Sequence, residues 1–202
     1  ERGLPGGTIL YNEGAFTSQR MWDNTFFVQS HYENHFSKLL SMQLNAKYHH
    51  GYLHYTDTVV LNNVGYEESY FTQNEYYASA SLLYKAFTNI SFSFSTDGSV
   101  NNMFALFENK ALTESFAQPV RYSLLSVLAA KYVSEKVLAT ASVLSTLVTE
   151  RVENGTAADN RKRLSPYASI TYRPFDETDL RFRAFYKNIF RLPTFNDLYY
   201  AR

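Results

Sequence analysis

Thr88-Asn89-Ile90-Ser91-Phe92-Ser93-Phe94-Ser95-Thr96 alternates polar and apolar, with Ile90, Phe92 and Phe94 set against Asn89, Ser91, Ser93 and Ser95. Successive side chains of an extended chain point to opposite sides, so the stretch predicts a strand with one apolar and one polar face. The period continues in both directions. Tyr76, Ala78, Ala80, Leu82 and Tyr84 oppose Tyr77, Ser79, Ser81, Leu83 and Lys85; Tyr122, Leu124, Leu128, Ala130 and Tyr132 oppose Arg121, Ser123, Leu125, Val127 and Lys131. Farther out, Leu40, Met42, Leu44, Ala46 and Tyr48 oppose Ser41, Gln43, Asn45 and Lys47, and Phe26, Val28 and Tyr32 oppose Gln29, His31 and Glu33. Val137, Ala139, Ala141, Val143 and Leu147 share a face, and Leu180, Phe182, Ala184 and Tyr186 face away from Arg181, Arg183 and Lys187.

Tight turns are expected near 33–38, 85–88, 133–136 and 174–178, each closing a hairpin. Longer polar stretches, at about 53–74, 97–120 and 150–163, separate the hairpins. Short turns alternating with long loops is the plan of an outer-membrane β-barrel, with turns on the periplasmic side and loops outside. The expected fold is therefore all-β: antiparallel, up-and-down transmembrane β-barrel strands, about 8–10 in number, forming a partial barrel of a larger one. A further strand is expected from Thr8 to Ala15. A soluble β-sandwich also alternates, but its strands run to about 5–6 residues against roughly 9 to 14 here. It would also centre its largest aromatics, whereas here tyrosines end the apolar faces. Phe27, Leu83, Leu125, Val127 and Phe185 interrupt the polar face, which a lumen filled by another domain would tolerate.

The 202 residues carry no formal net charge, so nothing electrostatic favours nucleic acid. With 17 Tyr and 16 Phe against one Trp, the chain is rich in the residues that girdle barrels at both membrane interfaces. The absence of cysteine removes disulfides, thiolate metal sites and cysteine nucleophiles. Residues 1–7 show no basic segment followed by an apolar run, as expected of a mature chain or an internal fragment.

Near the end, Arg183-Ala184-Phe185-Tyr186-Lys187-Asn188-Ile189-Phe190 leads into Arg191-Leu192-Pro193-Thr194-Phe195-Asn196-Asp197-Leu198-Tyr199. This run resembles a segment of TonB-dependent outer-membrane receptors, in which a strand reaching the outer surface ends in an Arg-x-Pro-Thr-Phe-Asn-(Asp/Glu)-Leu-Tyr-like sequence. Arg191, Pro193, Thr194, Phe195, Asn196, Asp197, Leu198 and Tyr199 occupy those positions. The resemblance covers about a tenth of the chain. It implies a plug domain inside a barrel of about 22 strands, so residues 1–202 are expected to be a single barrel segment lacking the plug and the remaining strands. It further implies a bacterial outer-membrane location and uptake of a scarce nutrient: cobalamin, siderophore-iron or haem, with cobalamin favoured. The implied partners are membrane lipid, the plug of the same parent chain, TonB through that plug, and a surface lipoprotein. The alternative is a small self-contained barrel serving as a pore or structural protein.

No nucleophile elbow, phosphate loop or zinc-protease helix motif occurs, and the serines alternate along a polar wall, so no catalytic residue is assigned. No cofactor or metal site is expected. His31 and His49 both point inward but are expected to differ in height by about 25 Å, too far to share an ion. His49, His50 and His54 cluster near an outer strand end, with His49 inward. Tyr55, Tyr66, Tyr70, Phe71, Tyr199 and Tyr200 are candidates to stack on a flat ligand. Arg121, Lys131, Arg173, Arg181, Arg183 and Lys187 are expected to form a basic lumen wall that attracts an anionic solute or pairs with a plug.

Overall fold

The computed structural model describes residues 2–3, 18–58, 67–108, 110–175 and 178–199. The strand expected from Thr8 to Ala15 lies outside them. Nine strands follow one another: β1 (Arg2–Gly3), β2 (Ser18–His35), β3 (Leu40–Thr58), β4 (Glu67–Lys85), β5 (Ile90–Phe107), β6 (Val120–Val133), β7 (Val137–Arg151), β8 (Arg161–Tyr172) and β9 (Phe182–Lys187). Two short helices, α1 (Lys110–Ser115) and α2 (Phe195–Tyr199), follow β5 and β9. Each strand pairs antiparallel with the next, in a single meander from β1 to β9. The sheet is open, since no pair among the described residues joins its two ends.

All four expected hairpins are present, and serine shapes two of their turns. The Ser37 hydroxyl accepts the backbone N–H groups of Leu39 and Leu40, each at 3.1 Å, and that of Ser134 accepts the N–H of Val137 at 3.0 Å. Such side chains offer the backbone a partner where the ladder ends. The long connections are shorter than expected. β3 runs on to Thr58, β4 begins at Glu67 and β5 continues to Phe107, so much of 53–74 and part of 97–120 are paired strand. In this upper stretch both faces are mixed. Tyr52, His54 and Tyr70 stand on one side, with Leu53, Tyr55 and Phe71 on the other, so the period-2 contrast disappears while the ladder continues.

Residues opposite each other in a ladder share a face. Ala80 lies between Leu44 and Thr96, and Leu128 between Phe94 and Val143. The register thus gathers the apolar set of every strand onto one side, and a slip of one residue would invert it. Nothing packs on that side: Phe94 is 44 % and Leu128 56 % exposed. Among the described residues the buried apolar side chains reduce to Ala105, Phe116, Pro119, Val148 and Phe195.

Tyr32, Tyr84, Tyr132 and Tyr172 each stand on the apolar face toward the short-turn end. They descend in steps through the register. Tyr32 is level with Ala80, four residues above Tyr84; Tyr84 is level with Ala130, two above Tyr132; Tyr132 is level with Ile170, two above Tyr172. Eight residues are therefore lost over six strand spacings.

Candidate functional site

The sheet is stepped at its long-loop end. β2 to β5 run to 18 or 19 residues, whereas β6, β7 and β8 have 14, 15 and 12. β9 stops earlier still, after six residues, its ladder closing with the Asn188 N–H donated to the Pro166 carbonyl at 3.1 Å. Beyond that point the chain turns onto the polar face. Pro193, without an N–H, suits no ladder position. Thr194 then caps α2: the Asp197 N–H donates to Thr194 Oγ1 at 3.2 Å, and the Thr194 N–H donates to Asp197 Oδ2 at 2.7 Å. This reciprocal capping box places an acid in the first helical turn. The backbone hydrogen bond from Thr194 holds the Asp197 carboxyl below its ordinary range.

Three side chains of the shorter strands anchor α2. Glu150, its side chain 1 % exposed, accepts Arg121 Nε at 2.8 Å and Arg161 Nη1 at 3.2 Å on one oxygen. Its other oxygen accepts the Tyr199 hydroxyl. That hydroxyl in turn accepts the Ala158 N–H at 3.1 Å. The Arg121 guanidinium lies 4.6 Å from the centre of the Phe195 ring, a cation–π arrangement in which Phe195 is itself buried. A carboxylate this deeply buried is tolerated because two guanidiniums and a hydroxyl replace its water. Burial, followed by the bond to Glu150, raises the Tyr199 hydroxyl above its ordinary pKa, so it stays a donor through the neutral range.

The taller strands face α2 across a cavity of ≈ 730 Å³ on the polar side. Tyr55, Phe71 and Phe107 form its strand wall, and Phe116, from the connection after α1, closes one end. Thr194, Phe195 and Tyr199 supply the α2 side. Phe107 packs edge-on against both Phe71 and Phe116, at 5.7 and 5.9 Å between ring centres. The Phe107 N–H donates to Thr113 Oγ1 at 2.8 Å, tying α1 to the end of β5. Gln118, in the left-handed region at φ 46, and the buried Pro119 turn the chain from there into β6. Asp23 and His49 are the titratable side chains on the cavity's strand wall. At Gly51 an added Cβ would come within 3.3 Å of the His49 ring, so this glycine leaves room for the imidazole.

The candidate aromatics separate onto two faces. Tyr55, Phe71 and Tyr199 meet at the cavity. Tyr70 is on the opposite face, stacked at 4.4 Å on His54, which stacks at 4.8 Å on Trp22. His54 Nε2 lies 2.5 Å from Glu68 Oε1. Tyr66 and Tyr200 lie outside the described residues. The six basic residues do not form one group. Arg121 belongs to the Glu150 cluster, while Lys131, Arg183 and Lys187 sit toward the short-turn end of the polar face and Arg173 and Arg181 beside its last turn. Arg181 pairs with Asp179 at 3.1 Å, and Arg183 lies 5.8 Å from the Phe185 ring.

The register corrects the histidine spacing. His31 is opposite Asn45, which puts it four residues, or about 13 Å at 3.3 Å each, below His49. His31 Nδ1 is 2.7 Å from Asn45 Oδ1, and His50 Nδ1 is 2.7 Å from Asn74 Oδ1. Among the described residues no three His, Asp or Glu side chains gather as a ligand set. Glu150 and Arg161, which complete the α2 anchor, carry no motif in the sequence. Their only sequence signal is a charge at each strand end nearest the loop that joins them.

No protein-family model matches the chain, and no curated protein matches it.

Proposed function

We propose that this chain is part of the barrel wall of a TonB-dependent outer-membrane transporter that takes up a scarce nutrient, namely cobalamin, siderophore-bound iron or haem. The observation that carries the reading is the register, which collects the apolar residues of eight consecutive strands onto one uncovered face. In water such a face is a severe liability; in lipid it is the required exterior.

The stepped tyrosines add a quantitative support. A fall of eight residues at about 3.3 Å over six spacings of about 4.8 Å corresponds to strands tilted by about 42°, within the range of transmembrane barrels. Tyr122 and Tyr132 bound the apolar face of β6 ten residues apart. At that tilt they are separated by about 24 Å along the normal, close to the roughly 25 Å apolar band of outer-membrane barrels. The polar face is then the lumen, the Ser37 and Ser134 turns are periplasmic, and the cavity beside α2 opens toward the exterior. The exposed inward side chains Phe27, Leu83 and Phe185 would pack against the plug of the same parent chain. TonB would act through that plug.

The test is deletion of the parent gene, followed by growth with cobalamin, a ferric siderophore or haem as the limiting source. Loss of growth on one of them, restored by the gene only in cells with intact TonB, is expected. Unchanged growth on all three overturns the reading.

A further inference from the structure

We infer that the cavity beside α2 selects for a flat, uncharged nutrient of the cobalamin type and against the anionic iron chelates and haem. This inference rests on the transporter reading and concerns which of its three nutrient classes this wall admits.

The argument is one of charge and ring faces. Tyr55, Phe71, Phe107 and Phe195 give the cavity a wall of aromatic rings, whose faces carry negative quadrupole charge and repel anions while stacking on flat apolar surfaces. Asp23 adds a carboxylate, and no lysine or arginine is among the described residues lining the cavity. The nearest guanidinium on the α2 side, Arg121, lies behind the Phe195 ring and is committed to Glu150, 2.7 Å away. Arg161 is spent on the same carboxylate. A tris-catecholate iron complex or the propionates of haem would therefore enter a site with no cation to meet them, and burying an unpaired anion is strongly unfavourable. An uncharged macrocycle incurs no such cost and can use the rings.

The experiment uses the full-length parent protein in detergent and measures the affinity of three probes by calorimetry: cyanocobalamin, which has no net charge, haem, and a trianionic ferric tris-catecholate. Cyanocobalamin is expected to bind at least tenfold more tightly than either anionic probe. Phe71→Ala and Tyr55→Ala are each expected to weaken it about tenfold, in line with the worth of one aromatic stacking contact. Asp23→Lys changes an exposed side chain without disturbing the aromatic packing, and is expected to narrow the preference at least fivefold. Tighter binding of an anionic probe, or a preference that ignores Asp23→Lys, overturns the inference and leaves the transporter reading standing. Failure of all three probes to bind overturns both.

Discussion

The two halves of the sheet finish differently at the long-loop end. β2 to β5 carry their ladder on for several residues past the tyrosine belt, and the added height is held by backbone pairing with aromatic side chains on both sides. β6 to β9 stop short, and there a folded-back segment replaces strand. The tall half is ordered by hydrogen bonds repeated at every rung. The short half is ordered by one buried carboxylate. The contrast teaches that the same elevation above the belt can be built from a repetitive element, tolerant of single changes, or from a converging cluster in which each member is needed.

That contrast is open to attack at several points. The largest effect is expected from Glu150→Ala, which leaves Arg121 and Arg161 without their counter-charge and should cost about 3–5 kcal/mol. Denaturant unfolding in detergent measures it, and a change below about 1 kcal/mol would show that α2 does not depend on this cluster. Next, Ala80→Arg, midway between Tyr76 and Tyr84 on the apolar face, should cost about 2–4 kcal/mol in lipid, while Ser81→Arg on the polar face should cost almost nothing. Equal costs would remove the common foundation on which both halves stand.

Tyr199→Phe removes the hydroxyl between Glu150 and Ala158, for about 1–2 kcal/mol. It also has a pH signature. Because the folded hydroxyl titrates above its ordinary value, its contribution is complete below about pH 10 and fades as the pH rises through the raised pKa. Wild type and variant should therefore converge in stability only in strong alkali. Convergence near neutral pH would mean that the Glu150 contact is not made by the neutral phenol. The smallest effect belongs to Thr194→Ala, about 1 kcal/mol for the lost cap. The Asp197 carboxyl is held low, so its share of the cap is present above the ordinary carboxylate pKa and disappears as the pH falls through the lower folded value. An acid titration of α2 by hydrogen exchange would detect it.

The hairpins were legible from residues such as Ile90, Phe92 and Phe94 because one face of the belt is uniformly apolar, which makes the period visible. Higher up, Tyr52, Leu53, His54 and Tyr55 have no such contrast, so strand there reads as loop. α2 was hidden for another reason. Five residues are too few to show helical periodicity, and Pro193, Thr194 and Asp197 serve a turn as readily as a capped helix. Arg121 was visible as a charge on the polar face, but its burial was not. That follows from Glu150, 29 residues away, and from Phe195, brought in from beyond β9. Tyr55 and Tyr70 looked alike as loop aromatics until the ladder assigned them opposite faces.

The spacing of Tyr122 and Tyr132 has a consequence for where such a wall can reside. Ten residues of one rigidly paired strand cannot stretch, so the tyrosines act as a gauge of bilayer thickness. A hydrocarbon layer thicker than about 25 Å has to thin around the sheet, at a cost of fractions of a kcal/mol for each ångström of mismatch. Reconstituted into lipids of graded acyl length, the protein should be most heat-resistant where the layer matches that gauge. In a membrane of uneven thickness it should drift to the thinner regions.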